Sequence, residues 1–333
     1  MSRSRSIGAP ASTERVSRRL VLVAPFVAAA FPAHVHRARA QAVKVRLGTA
    51  TPGGGFPVYG AAFVEGVRKA DPGLEIEAIN TKGSTENVPM LEAGTLDIAL
   101  VQGEVVHESL QGIGRAPADL KVVTAMYPTA GMFVVKASSP YRTIADLKGK
   151  PIAWGAQGSG LVILGRYAMD GLGLDAAKDF QPIYLERAGD GPAMVLDGRA
   201  AALWGGGAGW PGFTAVSNAP GGARFVAPDE DQIAHILMKH KFLKPVTQRA
   251  GSFPGQATDI QSVGSWSFVL ARPALDEAVA YRIAKALQAV QAAGDVPRQL
   301  VDTSAANTVA VVPGRERLHP GVARFYHEIG LLT

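Results

Sequence analysis

The sequence predicts an α/β protein built as two similar lobes with a cleft between them. Three features carry that reading. A strand, a glycine-rich turn and a helix follow one another twice at a constant offset: Gly53, Gly55 and Gly60 recur as Gly158, Gly160 and Gly165, each 105 positions later. Short apolar runs alternate with helical periodicities, as sheets covered by helices require. Two further apolar runs, 132–136 and 266–270, stand where the chain would pass from one unit to the other and back.

The leader comes first in the chain. The net charge is +6, but residues 1–40 hold seven arginines against Glu14, which leaves 27 basic and 27 acidic residues in 41–333. With the basic excess confined to the leader, a nucleic-acid partner loses its electrostatic basis. Ser17-Arg18-Arg19 precedes an apolar run from Leu20 to Phe31, too short to span a bilayer comfortably, and Ala38-Arg39-Ala40 offers a small-x-small cleavage site. Residues 1–40 therefore read as an export signal, with the paired arginines resembling a twin-arginine signal; an uncleaved membrane anchor is the alternative. The expected location is the periplasm, with cleavage near Ala40.

In the first repeat unit, Val45–Ala50 has the pattern of a strand and runs into Pro52-Gly53-Gly54-Gly55-Phe56. Tyr59, Ala62, Phe63, Val67 and Ala70 then share one helical face, ended by Asp71-Pro72-Gly73. In the second, Lys150–Trp154 runs into Gly155-Ala156-Gln157-Gly158-Ser159-Gly160, and Leu161, Leu164, Ala168 and Leu172 line a helix that stops near Gly171 and Gly173. Downstream, a Pro-containing helix start and a short strand recur at an offset of 104, with Gly94–Leu100 answered by Gly198–Trp204. Chance similarity of two ordinary βαβ units is the alternative to a true repeat. The two linker runs divide the chain into lobe 1, residues 43–135 plus 267–333, and lobe 2, residues 136–266. Two crossings make a two-strand hinge near Val134–Lys136 and Trp266–Phe268, which permits clamshell closure. A long helix is expected over about 275–293.

The glycine turns are the chemical feature. A glycine loop between strand and helix lets a ligand reach the backbone, and free N–H groups at the helix start attract an anion. A third such place is Lys82-Gly83-Ser84-Thr85-Glu86-Asn87. An ordinary tight turn with its N-cap is the plainer reading of each. Candidate ligand-binding residues are Thr49, Gly54, Gly55, Phe56, Ser84, Thr85, Asn87 and Gln102 from the first lobe, with Gly158, Ser159 and Gly160 from the second. Trp204 or Trp210 would wall the pocket, unless they are buried structural residues. Gly207–Gly212 matches G-x-G-x-x-G literally, but Pro211 interrupts the helix start that dinucleotide binding needs.

Catalytic patterns are missing: there is no G-x-S-x-G, H-E-x-x-H or Walker loop. The chain has no Cys, which excludes disulfides, thiolate zinc sites and cysteine nucleophiles. His235 and His240 are five apart, the wrong spacing for one helical face. Asp229-Glu230-Asp231 reads as a helix start. No metal, cofactor or enzyme activity is expected.

These landmarks together resemble the TAXI class of periplasmic solute-binding proteins, which serve TRAP transporters. The resemblance covers about 43–333. It rests on Leu47-Gly48-Thr49-Ala50 with Gly53–Phe56, on 82–87, on Leu91–Gln102, on 155–160, on Phe253-Pro254-Gly255-Gln256, and on the ending from His319-Pro320-Gly321 to Leu332. It implies a type II periplasmic-binding-protein fold and one small carboxylate held between the lobes, such as a dicarboxylate or a glutamate-like amino acid. It further implies delivery to the membrane permease subunits of a TRAP transporter, by a receptor expected to be a monomer. Gly205-Gly206-Gly207 replaces polar residues common in the family at that place, which implies a roomier or more apolar pocket. An ABC or tripartite tricarboxylate importer is the alternative partner, and an exported enzyme on the same fold the alternative activity.

Overall fold

The computed structural model describes residues 42–207 and 209–333; the leader and its expected cleavage site lie outside them. Eleven strands and ten α-helices follow in the order β1 (Val43–Gly48), α1 (Gly55–Ala70), β2 (Leu74–Ile79), α2 (Ser84–Glu92), β3 (Ile98–Val101), α3 (Gly103–Gln111), β4 (Lys121–Ala130), β5 (Met132–Lys136), β6 (Pro151–Ala156), α4 (Gly160–Gly171), β7 (Gln181–Leu185), α5 (Gly191–Leu196), β8 (Ala202–Gly205), α6 (Pro211–Asn218), β9 (Ala223–Val226), α7 (Glu230–Lys239), β10 (Lys244–Gln248), β11 (Ile260–Ala271), α8 (Glu277–Ala292), α9 (Ala305–Val311) and α10 (Pro320–Glu328). The fold is α/β, in two mixed sheets.

The repeat read from the glycines is a repeat of topology. In the first sheet β1 lies between β2 and β3, parallel to both; in the second β6 lies between β7 and β8, parallel to both. The register repeats as well. Leu47 faces Ile98 and Ile152 faces Ala202, the same 105 and 104 offsets that the sequence carries. Each parallel trio continues into an antiparallel neighbour, β3 into β11 and β8 into β5. The complete orders are β10-β11-β3-β1-β2, with β4 also on β11, and β7-β6-β8-β5-β9.

Helices cover the sheets through apolar stripes at helical spacing. Val279, Ala280, Ile283, Ala284 and Leu287 form the buried face of α8, which covers about the expected range and is capped by Asp276. Tyr59, Phe63 and Val67 do the same for α1. Asp229 starts α7 through a reciprocal capping box with Gln232, as the acidic cluster suggested.

The chain leaves the first sheet at Ala130 and enters the second at Met132, so Gly131 is the only residue between them. A Cβ there would lie 2.7 Å from the Trp204 ring, which explains why the turn is glycine. Val134–Lys136, the expected first crossing, instead lies inside β5, which is bonded to β8 on one side and β9 on the other. The other expected crossing, Trp266–Phe268, coincides with a register irregularity where β11 pairs with β4. β11 reaches from the core of the second sheet at Val263 to that of the first at Phe268–Ala271.

Candidate functional site

A cavity of about 50 Å³ lies between the two sheets, at the C-terminal ends of the parallel strands. Four helices begin at its wall. The residues preceding α1, α2 and α3 are Gly54, Gly83 and Gln102, and none supplies a side-chain cap. The first amides of α1 have neither a side-chain cap nor an intrahelical acceptor, so their partial positive charge faces the cavity; in α2 the Thr85 amide is taken by the Gly158 carbonyl, and in α3 the Glu104 amide by its own carboxyl. α4 is capped by Ser159, whose hydroxyl accepts from the Leu161 amide at 3.2 Å and keeps its own proton to donate.

Side chains complete the wall. Gln102 is 3% exposed, and its amide lies against the buried Glu104 carboxyl without forming a well-shaped hydrogen bond to it. A buried donor left fully unpaired costs about 1–3 kcal/mol, so a ligand acceptor could compete with Glu104 for this weakly held amide. The Gln102 backbone amide donates to the Ser84 hydroxyl at 3.1 Å. Among the described residues, Lys82 is the only charged side chain on the wall, and no carboxylate lines it.

Of the residues read from the sequence, Gly54, Gly55, Phe56, Ser84, Gln102, Ser159, Gly160 and Trp210 line this cavity together. The others are close but do different work. Thr49 is buried, its hydroxyl donating to the Ile79 carbonyl at 3.0 Å. Asn87 ties the ends of β1 and β3 together, its amide donating to the Thr49 and Leu100 carbonyls at 2.8 Å each. The Thr85 amide and hydroxyl both donate to the Gly158 carbonyl, at 3.2 and 3.1 Å, so this pair joins the two halves rather than lining the space. Trp204 is fully buried in the second core, where its indole N–H donates to the Leu161 carbonyl at 2.8 Å and steadies the start of α4.

The glycine turns also let backbone meet backbone across the cleft. A Cβ on Gly53 would lie 2.5 Å from the Gly189 Cα, and one on Gly158 would lie 2.6 Å from the Lys82 carbonyl. Beside them the Ala188 amide donates to the Thr51 hydroxyl and the Gly189 amide to the Pro52 carbonyl, at 3.1 and 3.3 Å. On the flank, Glu108 of α3 accepts from Tyr167 at 2.9 Å and pairs with Arg166, both of α4.

Of the three glycines Gly205–Gly207, Gly205 opens no room in the cavity, whereas Gly206 and Gly207 line a larger space beside it. The Trp210 ring occupies the side-chain positions of Gly205 and Gly212, 2.2 and 2.7 Å from their ideal Cβ sites. The literal G-x-G-x-x-G thus accommodates an indole, not a pyrophosphate. Sequence reasoning missed Tyr127. It lies at the end of β4, its hydroxyl about 3.4 Å from where a Gly55 Cβ would stand, and burial pushes that hydroxyl's pKa well up. Nothing around it in the sequence distinguishes it from a core aromatic.

Glu104, in the first turn of α3, is fully buried and hydrogen-bonded to the Ser265 hydroxyl at 2.7 Å; burial pushes its pKa up to about 7. Two histidines are spent on packing and pairing: His107 stacks on Phe242 and His240 pairs with Asp170. Among the described residues no cluster of three or more His, Asp or Glu could hold a metal ion, and no helix is long and apolar enough to cross a membrane.

Two α/β halves meeting around a small space form the fold of the periplasmic solute-binding proteins. The chain belongs to the NMT1-like family, which it matches over residues 47–330, and that family is one of substrate-binding proteins, not enzymes. A protein of Bordetella bronchiseptica RB50 shares the fold at 17% identity and a TM-score of 0.51, over 85% of this chain and 82% of that one. Two further solved structures are similar at lower TM-scores. One is a TctC solute binding protein from Polaromonas (16% identity, TM-score 0.48, covering 87% and 98%). The other is the alkanesulfonate-binding protein SsuA from Xanthomonas axonopodis pv. citri bound to MOPS (17%, 0.47, 87% and 94%).

Proposed function

We propose that this protein is an exported receptor that captures a small organic anion between its lobes and delivers it to a TRAP-type permease. One observation carries the reading. Helix N-termini, those of α1 and α4 foremost, meet at a wall that holds the buried Gln102 amide, one lysine and, among the described residues, no carboxylate. Such a wall stabilises negative charge through fixed dipoles and neutral donors. A carboxylate would accept from the first amides of α1 and α4, from the Ser159 hydroxyl and from Gln102, with Phe56 and Trp210 covering its apolar neighbour atoms.

The lobes would close around the ligand about the paired strands β4 and β11, because contacts from both halves are available only when they meet. The leader would be removed near Ala40, and the mature chain would act as a monomer in the periplasm. Calorimetric titration with propionate and with its neutral amide, propionamide, tests the anion. Propionate should bind and propionamide should bind at least tenfold more weakly, since hydrogen bonds to a charged group are worth about 1.5–3 kcal/mol. Equal binding of the two would refute the anion reading.

A further inference from the structure

Beyond the inner cavity lies a second chamber of about 370 Å³, within the usual range for a small-molecule site. The two spaces share Gly55, Tyr127, Gly206 and Trp210 as a common wall. They meet at Gly55, where a side chain is missing: a Cβ there would stand 3.2 Å from the Trp210 ring and 3.4 Å from the Tyr127 hydroxyl. The inner cavity is about a third of the roughly 150 Å³ that holds a benzene. It suits a carboxylate head with a carbon or two, not a whole diacid.

The outer chamber carries two charged groups of opposite sign that lack ion-pair partners among the described residues. Arg298 donates only to the Ser252 carbonyl, at 3.2 Å, and Asp302 forms no salt bridge. The third charge there, Arg249, is already paired with Asp259 at 2.9 Å. A bare second carboxylate would gain from Arg298 and lose against Asp302. Both side chains reach solvent, and a ligand group with both a donor and an acceptor complements the two.

Resting on the anion reading above, we infer that the two chambers form one elongated site. Its ligand is a carboxylate whose chain passes Gly55 and ends in a neutral group that both donates and accepts hydrogen bonds, such as an amide. The inner cavity holds the carboxylate, and Arg298 and Asp302 read the far end.

Calorimetric titration of the mature protein with propionate, propionamide, hexanoate, adipate and adipamate (the monoamide of adipate) tests this. Adipamate should bind about tenfold more tightly than propionate and hexanoate, and more tightly than adipate. The adipamate-to-propionate affinity ratio should fall toward one in Arg298→Gln and Asp302→Asn, and in Gly55→Ala, which narrows the passage. Equal binding of adipamate, hexanoate and propionate, with propionamide weaker, would overturn the elongated site and leave the anion reading intact. Adipate binding tightest would overturn the donor–acceptor end. Propionamide matching propionate, or no probe binding, would overturn both.

Discussion

Thr85 and Gly158 are joined across the cleft by two hydrogen bonds to one carbonyl: the Thr85 amide and hydroxyl donate to the Gly158 oxygen at 3.2 and 3.1 Å. One residue comes from the start of α2 and the other from the turn before α4, so the bonds exist only when the halves touch. Thr85→Val removes the hydroxyl bond and keeps the shape. It should weaken ligand binding about 2- to 12-fold, the worth of one ordinary hydrogen bond, with little change in melting temperature. Calorimetry beside a thermal melt separates the two; a lower melting temperature with unchanged affinity would assign Thr85 to folding alone.

Gly158→Ala tests the same contact by crowding. The added carbon would lie 2.6 Å from the Lys82 carbonyl, a backbone atom that cannot swing aside. Overpacking of this kind costs about 1–3 kcal/mol, equivalent to a 5- to 150-fold loss of affinity. Small-angle scattering should show a larger radius of gyration in the variant than in the wild type at saturating ligand. Identical dimensions would mean that the lobes do not need this contact to close.

Ser159 has two roles that one substitution resolves. Its hydroxyl caps α4 by accepting from Leu161, and it lines the cavity. Ser159→Ala should cost about 1 kcal/mol of stability from the lost cap. If the hydroxyl also donates to a bound carboxylate, affinity falls about 10- to 150-fold in addition. An earlier melt with normal binding would leave Ser159 as a cap only.

Glu104 makes stability depend on pH. Its folded pKa, about 7, is raised above the ordinary 4.5 because burial disfavours the carboxylate. The folded state therefore holds a proton that the unfolded state gives up between those values. Its stabilising effect is complete below about pH 4.5 and is lost as pH rises through 7, by at most about 3 kcal/mol. Melting temperatures from pH 4.5 to 8 should fall less in Glu104→Gln, whose amide does not titrate, than in the wild type. Parallel curves for the two proteins would show that Glu104 does not titrate in this window.

The glycine spacing exposed the repeat because each turn is fixed by local backbone demands, and those demands recur wherever a parallel strand feeds a helix. The same logic found eight residues of the cavity wall. It could not separate Trp210 from Trp204, since both sit beside small residues and only the path of the chain decides which ring reaches the cleft. Thr49 and Asn87 looked like ligand donors because free hydroxyls and amides sit well beside glycine turns; in the fold they are spent on carbonyls at the ends of β1 and β3. Tyr127 was illegible because a strand tyrosine facing a cleft and one facing a core have the same neighbours in sequence. The crossing at Gly131 was displaced to Val134–Lys136 because the apolar run stands out, whereas a single glycine does not.

The most direct test of anion capture is the identity of the molecule the protein carries. Native mass spectrometry of the mature protein, purified without denaturation, followed by release and analysis of the bound compound, reads it in one experiment. The expected result is one small molecule per chain bearing at least one carboxylate, lost when the lobes are forced apart by Gly158→Ala. A released compound that is neutral or purely cationic would contradict capture of an anion at the helix N-termini around the cavity.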